Sequence, residues 1–218
     1  MGRINNAIND KLRRTFRLEN SPVAIKYADE PTPGGSERKI YFCTALKLAS
    51  QGAIMNLSKR SCSCPGGRLW LGLDERPRGL AQLLSHREGF FCSPEVAGEW
   101  LESVPSPPKG RARYVLLSPL GEANFEPDVV VFLVSPWQAS RLLGLAQFRS
   151  GVPLKISAFG AVCQCSVCNP IVTGKVEACF IDPAARKIGG YEPDELIISF
   201  PYADLVTMTR DIDRSGYV

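Results

Sequence analysis

The sequence predicts an α/β protein of two related strand–helix halves around a mixed sheet, and three observations support this class. Short apolar runs at residues 23–27 and 128–134 are typical of strands. Each run is followed by a segment in which apolar residues recur at helical spacing. The second run is so continuously apolar that we expect a central strand covered on both faces.

In the first half, the elements follow from apolar spacing and from turn residues. An amphipathic helix is predicted at residues 4–16 and a short strand at residues 23–27. Prolines and glycines make residues 29–37 a loop. A further helix is expected at residues 40–51 because apolar residues recur there at helical spacing, and another is expected at residues 79–87.

A proline-rich segment, residues 104–111, is interpreted as a linker between a first half, residues 1–104, and a second half, residues 112–218. The second half opens with a strand predicted at residues 114–117. Its main helix is predicted at residues 135–147, which begin with a serine suited to the N-cap and a proline suited to the first helical position.

The two halves show the same order of features. In each, an apolar strand, a helix and a glycine lead to a Cys-x-Cys turn, at Cys62 and Cys64 in the first half and at Cys163 and Cys165 in the second. We therefore expect an internal duplication that places the two turns near a pseudo-twofold axis.

The eight cysteines are the main functional signal. The first half holds Cys43, Cys62, Cys64 and Cys92, and the second holds Cys163, Cys165, Cys168 and Cys179. Three of them fall within the stretch from Gly160 to Cys168, a density that a packed core does not need. In a reducing cytosol such close spacings indicate metal or redox chemistry more than a disulfide framework.

We expect six of these thiols to be metal ligands: Cys62, Cys64, Cys163, Cys165, Cys168 and Cys179. Cys43 and Cys92 are further candidates for binding the cofactor. Cys43 lies near an apolar helix stripe, where a core role is equally typical. Cys92 precedes the helix start Ser93-Pro94, whose dipole favours a thiolate, although a structural role is as common.

An iron–sulfur cluster is favoured over zinc because zinc ribbons normally use two Cys-x-x-Cys knuckles, and this chain has one such spacing. One or two four-iron clusters are expected, with a role in electron transfer or in support of a redox enzyme. A structural zinc module that mediates interactions and a cysteine-dependent small-molecule enzyme remain the alternatives. Enzymatic activity itself is left open.

Composition argues against several other functional classes. A net charge of +4 is too small to indicate nucleic acid or an anionic membrane as partner. No apolar run approaches the roughly 20 residues of a membrane span, and no secretory signal is evident, so a cytoplasmic location is expected. A single histidine, His86, gives little basis for a Ser-His-Asp triad. A redox partner protein is expected, and homo-oligomerisation is left open.

The order of several short motifs resembles the domain-of-unknown-function family 169 (DUF169). The motifs are PVAIK at residues 22–26, YFC ending at Cys43, CPGG at residues 64–67, SPE at residues 93–95, PDVVV at residues 127–131, Cys163 seven residues before Pro170, TGK at residues 173–175 and DEL at residues 194–196. They cover nearly the whole chain. The resemblance implies an intracellular protein common in anaerobic microbes, without an established activity.

The resemblance also implies that some thiols are shared and others are additions. Family members tend to keep cysteines at the positions of Cys43, Cys64 and Cys163, and one or two more in a short motif that ends at Arg186. Here Asp182 and Ala185 occupy those later positions. Cys179 lies slightly upstream of them, and Cys62, Cys92, Cys165 and Cys168 look like additions. The chain therefore resembles a cysteine-enriched branch, which fits cluster binding because unneeded thiols are an oxidation risk.

Overall fold

The computed structural model describes residues 1–156 and 161–218 and folds them around one six-stranded sheet. The strands are β1 (Val23–Ala28), β2 (Met55–Ser58), β3 (Tyr114–Pro119), β4 (Val129–Val134), β5 (Glu177–Cys179) and β6 (Leu196–Pro201). Their order is β2-β3-β1-β4-β6-β5, and each pairing between these strands is antiparallel. The α/β class is confirmed, with an antiparallel sheet where a mixed one was expected.

The described helices are α1 (Gly2–Phe16), α2 (Phe42–Ser50), α3 (Pro65–Trp70), α4 (Leu80–Gln82), α5 (Pro94–Ser103), α6 (Pro136–Gln147), α7 (Asn169–Thr173), α8 (Pro183–Gly189) and α9 (Tyr202–Thr209). One π-helical segment, Leu83–Arg87, follows α4, and another, Gln164–Cys168, precedes α7. Short 3₁₀ turns lie at Leu120–Glu122 and Ile212–Arg214.

The start of α6 follows the predicted N-cap chemistry. Ser135 accepts a hydrogen bond from the Gln138 backbone N–H, and the Gln138 side chain accepts one from the Ser135 backbone N–H. This capping box satisfies N–H groups that the helix itself leaves unpaired. Ser93 caps α5 in a similar way, by accepting from the backbone N–H of Val96. Both predicted helix starts are confirmed.

Helices cover both faces of the sheet because successive strand residues point to opposite sides. On β4, Val129, Val131 and Leu133 join a core that contains α2, α3 and most of the cysteines. The alternate residues of β4 join a second core beneath α1, α6 and α9. All six residues of β4 are buried, which confirms the central strand expected from its sequence. The first core is called the thiol face below.

Strands and helices differ in how far they agree with an internal duplication. The sheet order is symmetric about the β1–β4 pair, with β3 and β2 on one side and β6 and β5 on the other. The helices that follow β1 and β4 break this symmetry, because α2 packs on the thiol face and α6 on the opposite face. The strand order therefore supports a repeat, which stays a prediction, and the helices do not extend it.

Candidate functional site

A cavity of about 350 Å³ opens on the thiol face. Cys43, Cys64 and Cys163 line it, together with the carboxyl-bearing Asp182. These residues come from four separated parts of the chain, so the tertiary fold and not local spacing brings them together. Cys43, Cys64 and Cys163 are also the three thiols that the family resemblance singles out.

Each of these side chains is placed by the start of a helix. Cys43 is the second residue of α2, and Cys163 directly precedes a π-helical segment. Cys64 is the N-cap of α3, and its Sγ accepts a hydrogen bond from the Gly67 N–H at 3.2 Å. Asp182 is the N-cap of α8 and accepts from the Ala185 N–H at 2.8 Å.

Gly67 allows two thiols to approach the turn before α3. A Cβ atom at this position would lie 3.1 Å from Cys64 Cβ and 3.2 Å from Cys62 Sγ. Cys62 is 2% exposed, and its thiol donates to the Cys64 carbonyl at 3.8 Å. It lies outside the cavity lining and packs behind Cys64.

The cavity thiols favour the neutral, protonated form when no cation is bound. Burial raises the pKa of Cys163 well above its ordinary value, and the neighbouring sulfurs raise it further. Burial also raises the pKa of Cys43, with Cys64 as the next largest cause. At Cys64, burial raises the pKa, and the Gly67 N–H opposes this effect. A positive group placed among these sulfurs would reverse the repulsion and favour thiolates.

The other expected ligands lie elsewhere. Cys165 and Cys179 form a buried disulfide with each other, so in this state neither sulfur is a free thiolate. Cys168 is buried and donates to the Pro105 carbonyl at 3.2 Å. Cys92 is exposed and lies outside the cavity lining. The segment before α7 is helical from Val162 on, although a turn was expected. Gly160, where the predicted stretch begins, lies outside the described residues.

The cavity thiols share a lining without converging on one point. Within residues 1–156 and 161–218, no group of three or more His, Cys, Asp or Glu side chains is arranged to hold a single metal ion.

Part of the cavity lining is aromatic, which the sequence did not predict. Trp70, Phe90, Phe91 and Trp100 line it beside the π-helical segment Leu83–Arg87. These residues are spread over α3, a loop and α5 without a common spacing, so sequence patterns offer no signal for them. Asp182 could have been found, because Asp before Pro183 is a typical helix start.

A larger, more open cavity of about 540 Å³ lies on the other face of the sheet. Its lining includes Arg149, Lys175 and Asp204 and contains no cysteine. Arg149 is paired with the buried Asp211. Because this cavity gathers none of the thiols, the smaller cavity on the thiol face is the better candidate site.

No helix among the described residues is long and apolar enough to cross a membrane.

Comparisons with known proteins agree with the motif order. The model of the DUF169 family, described as uncharacterised ArCR, matches residues 11–211. An uncharacterized protein of Methanocaldococcus jannaschii, MJ0308, is 25% identical over 216 residues, which cover 94% of this chain and 91% of that protein. No solved structure matches.

Proposed function

This chain belongs to the DUF169 family, and we propose that it is a cytoplasmic iron–sulfur protein that passes electrons to or from a redox partner. The observation that carries the proposal is the meeting of Cys43, Cys64 and Cys163 at one cavity. Thiolates are the usual protein ligands of iron–sulfur clusters. When bound, such a cluster would supply one-electron transfer.

The donor set fits a cluster better than a single zinc ion. Structural zinc needs four ligands directed at one point, and the described side chains have no such arrangement. In a cluster each thiolate binds a different iron, so its ligands surround a larger group and are not directed at a single atom. Cys43, Cys64 and Cys163 would be the ligands, and the Gly67 N–H would donate to Cys64 Sγ.

Among the described residues, the cavity lining contains no fourth cysteine. The Asp182 carboxylate already accepts backbone N–H bonds from Ala185 and Val162, and Cys62 packs behind the lining. Three thiolates would leave one iron of a four-iron cluster without a cysteine ligand. A cluster held in this way could supply substrate chemistry as well as electron transfer.

The proposal is tested by iron, zinc and acid-labile sulfide content of anaerobically purified protein, with a visible spectrum of the same sample. We expect about four irons with matching sulfide per chain. Cys43→Ser, Cys64→Ser and Cys163→Ser should each lose most of the iron. Cys92→Ser is the matched control, because Cys92 is exposed and outside the cavity, and it should retain the wild-type iron content.

Two results would contradict the proposal. Colourless protein that carries zinc and takes up no iron on anaerobic reconstitution would favour the zinc module. Equal iron loss in the Cys92 control and in the cavity variants would show that iron binds elsewhere or without specificity.

A further inference from the structure

Part of the lining that the thiol cavity shares with Cys64 is a packed aromatic cluster. The ring centroids of Trp70 and Trp100 are 5.8 Å apart and nearly perpendicular, and those of Phe91 and Trp100 are 5.3 Å apart. Trp70 is 2% exposed, so the cluster is anchored in the core. Fixed rings of this kind offer a large apolar contact area whose geometry favours other flat rings.

The polar groups around this wall leave little net charge for a ligand to neutralise. Arg87 and Glu88 both line the cavity, and their side chains carry opposite charges. The Asp182 carboxylate is held by the backbone N–H groups of Ala185 and Val162, at 2.8 and 3.4 Å. Leu83 and Leu84 belong to the apolar part of the lining. The wall therefore selects for apolar surface and not for charge.

Size and local backbone agree with a ligand site. A volume of about 350 Å³ is near the lower end of small-molecule sites, roughly 300–1,000 Å³. The leucines belong to the π-helical segment Leu83–Arg87, and such segments frequently occur at functional sites because they displace side chains from regular helical positions.

We propose that the aromatic end of this cavity binds a small, flat, uncharged organic molecule of one or two fused rings beside the thiols. This inference deepens the proposed function, because it assigns a ligand class to the same cavity. It concerns a wall that contains no thiol, so it is tested on protein without iron.

The test is calorimetric titration of the metal-free, full-length protein with 2-naphthalenemethanol. We expect saturable binding with one site per chain. Trp100→Leu should weaken binding about tenfold, equivalent to about 1.4 kcal/mol. Trp137→Leu is the matched control, because Trp137 is 54% exposed on α6 and outside the cavity. It should stay within about twofold of wild type, since no contact with the ligand is lost.

A second variant and two charged probes keep the test decisive. If Trp100→Leu fails to fold by circular dichroism, Leu84→Gln replaces it and should also weaken binding, because it places a polar group on the wall. The anion 2-naphthoate and the cation 2-naphthylmethylammonium should both bind more weakly than the alcohol. Tighter binding of either ion would overturn the uncharged class, and absence of saturable binding would overturn the site.

Iron content measured on the same variants separates this proposal from the previous one. Trp100→Leu should bind iron as the wild type does, because the thiols are intact. If the naphthyl alcohol binds and no sample contains iron, the cluster proposal is contradicted and the aromatic site is supported. If iron binds and the naphthyl alcohol does not, the aromatic site is contradicted and the cluster is supported.

Discussion

At the scale of single residues, the candidate site depends on how closely the side chains of Cys62 and Cys64 approach the first turn of α3. Gly67 is the residue that makes this approach possible, since its missing side chain leaves room for both Cys62 and Cys64. Pro65, Gly66 and Gly67 form the first turn of α3, and any Cβ at Gly67 would touch both thiol side chains.

Gly67→Ala should therefore destabilise the protein, by about 1–3 kcal/mol, as overpacking of a tight core site usually does. Chemical denaturation with urea measures this change, and iron retention should fall with it. Gly98→Ala is the control, because Gly98 lies inside α5 with no atom within 4 Å of an added Cβ. That variant should gain about 0.5–1 kcal/mol from helix propensity. A neutral Gly67→Ala would mean that the turn before α3 can relax.

At the scale of elements, the Cys165–Cys179 disulfide ties together two segments that carry cavity residues. Cys165 lies two residues after Cys163, and Cys179 ends β5 three residues before Asp182. The Val162 N–H also donates to Asp182 at 3.4 Å. The disulfide thus fixes one side of the cavity without taking part in its lining.

Alkylation of the unfolded, unreduced protein should label six cysteines, and labelling after reduction should reach eight, as read by intact mass. Cys179→Ser should lower stability by about 3 kcal/mol, the chain-entropy value for a loop of about 15 residues. Cys92→Ser, at an exposed free thiol, should change stability by less than about 0.5 kcal/mol. Eight labelled cysteines before reduction would show that both sulfurs are free thiols.

The elements were predictable to different degrees. Helix α6 and strand β4 carry local signals, a serine–proline cap and an unbroken apolar run, and both were located from sequence. The segment from β5 to α9 was not predicted, because β5 has only three residues and its position depends on pairing with β6. The cysteine turn after Cys163 became π-helical for a similar reason, since packing and not local spacing decides its shape.

At the scale of the whole molecule, the sheet separates a thiol face from a face without cysteines. The sequence indicated that the cysteines mattered but grouped them by distance along the chain. In the fold, the position of each cysteine on the thiol face decides whether it lines the cavity. Cys43 lines the cavity, and Cys168 and Cys179 do not. Spacing predicts ligands only when one local segment supplies them. Here α2, the N-cap of α3 and the segment before α7 each supply one.

Because several protonated thiols are buried, the free energy of unfolding of the metal-free protein should fall as the pH becomes alkaline. Burial raises the pKa of Cys168 from 9.0 to about 12, and that of Cys62 likewise to about 12. The unfolded chain releases these protons first, so the stabilisation is complete below about pH 9 and is lost as pH rises toward about 12. Each thiol contributes up to about 1.4 kcal/mol per pH unit in this window.

Urea denaturation between about pH 8 and about pH 11 measures this slope. Cys168→Ala should reduce the slope by the contribution of one thiol proton, and Cys92→Ala, at an exposed thiol, is the comparison variant. Slopes are compared and not absolute stabilities, since Cys168→Ala also removes packing. A stability that stays flat across this range would show that the buried thiols titrate as they do in the unfolded chain.

The strand order has a consequence for biosynthesis. Among the named strands β2 pairs with β3 alone, and β3 lies between β2 and β1 in the sheet, so a nascent chain ending before Tyr114 has β1 and β2 without the strand that joins them. Cys43 and Cys64 leave the ribosome long before Cys163 and Asp182 do. Domains fold as units once their chain is available. The ribosome must therefore release most of the chain before this cavity exists, and any cofactor is inserted late, into a nearly finished protein.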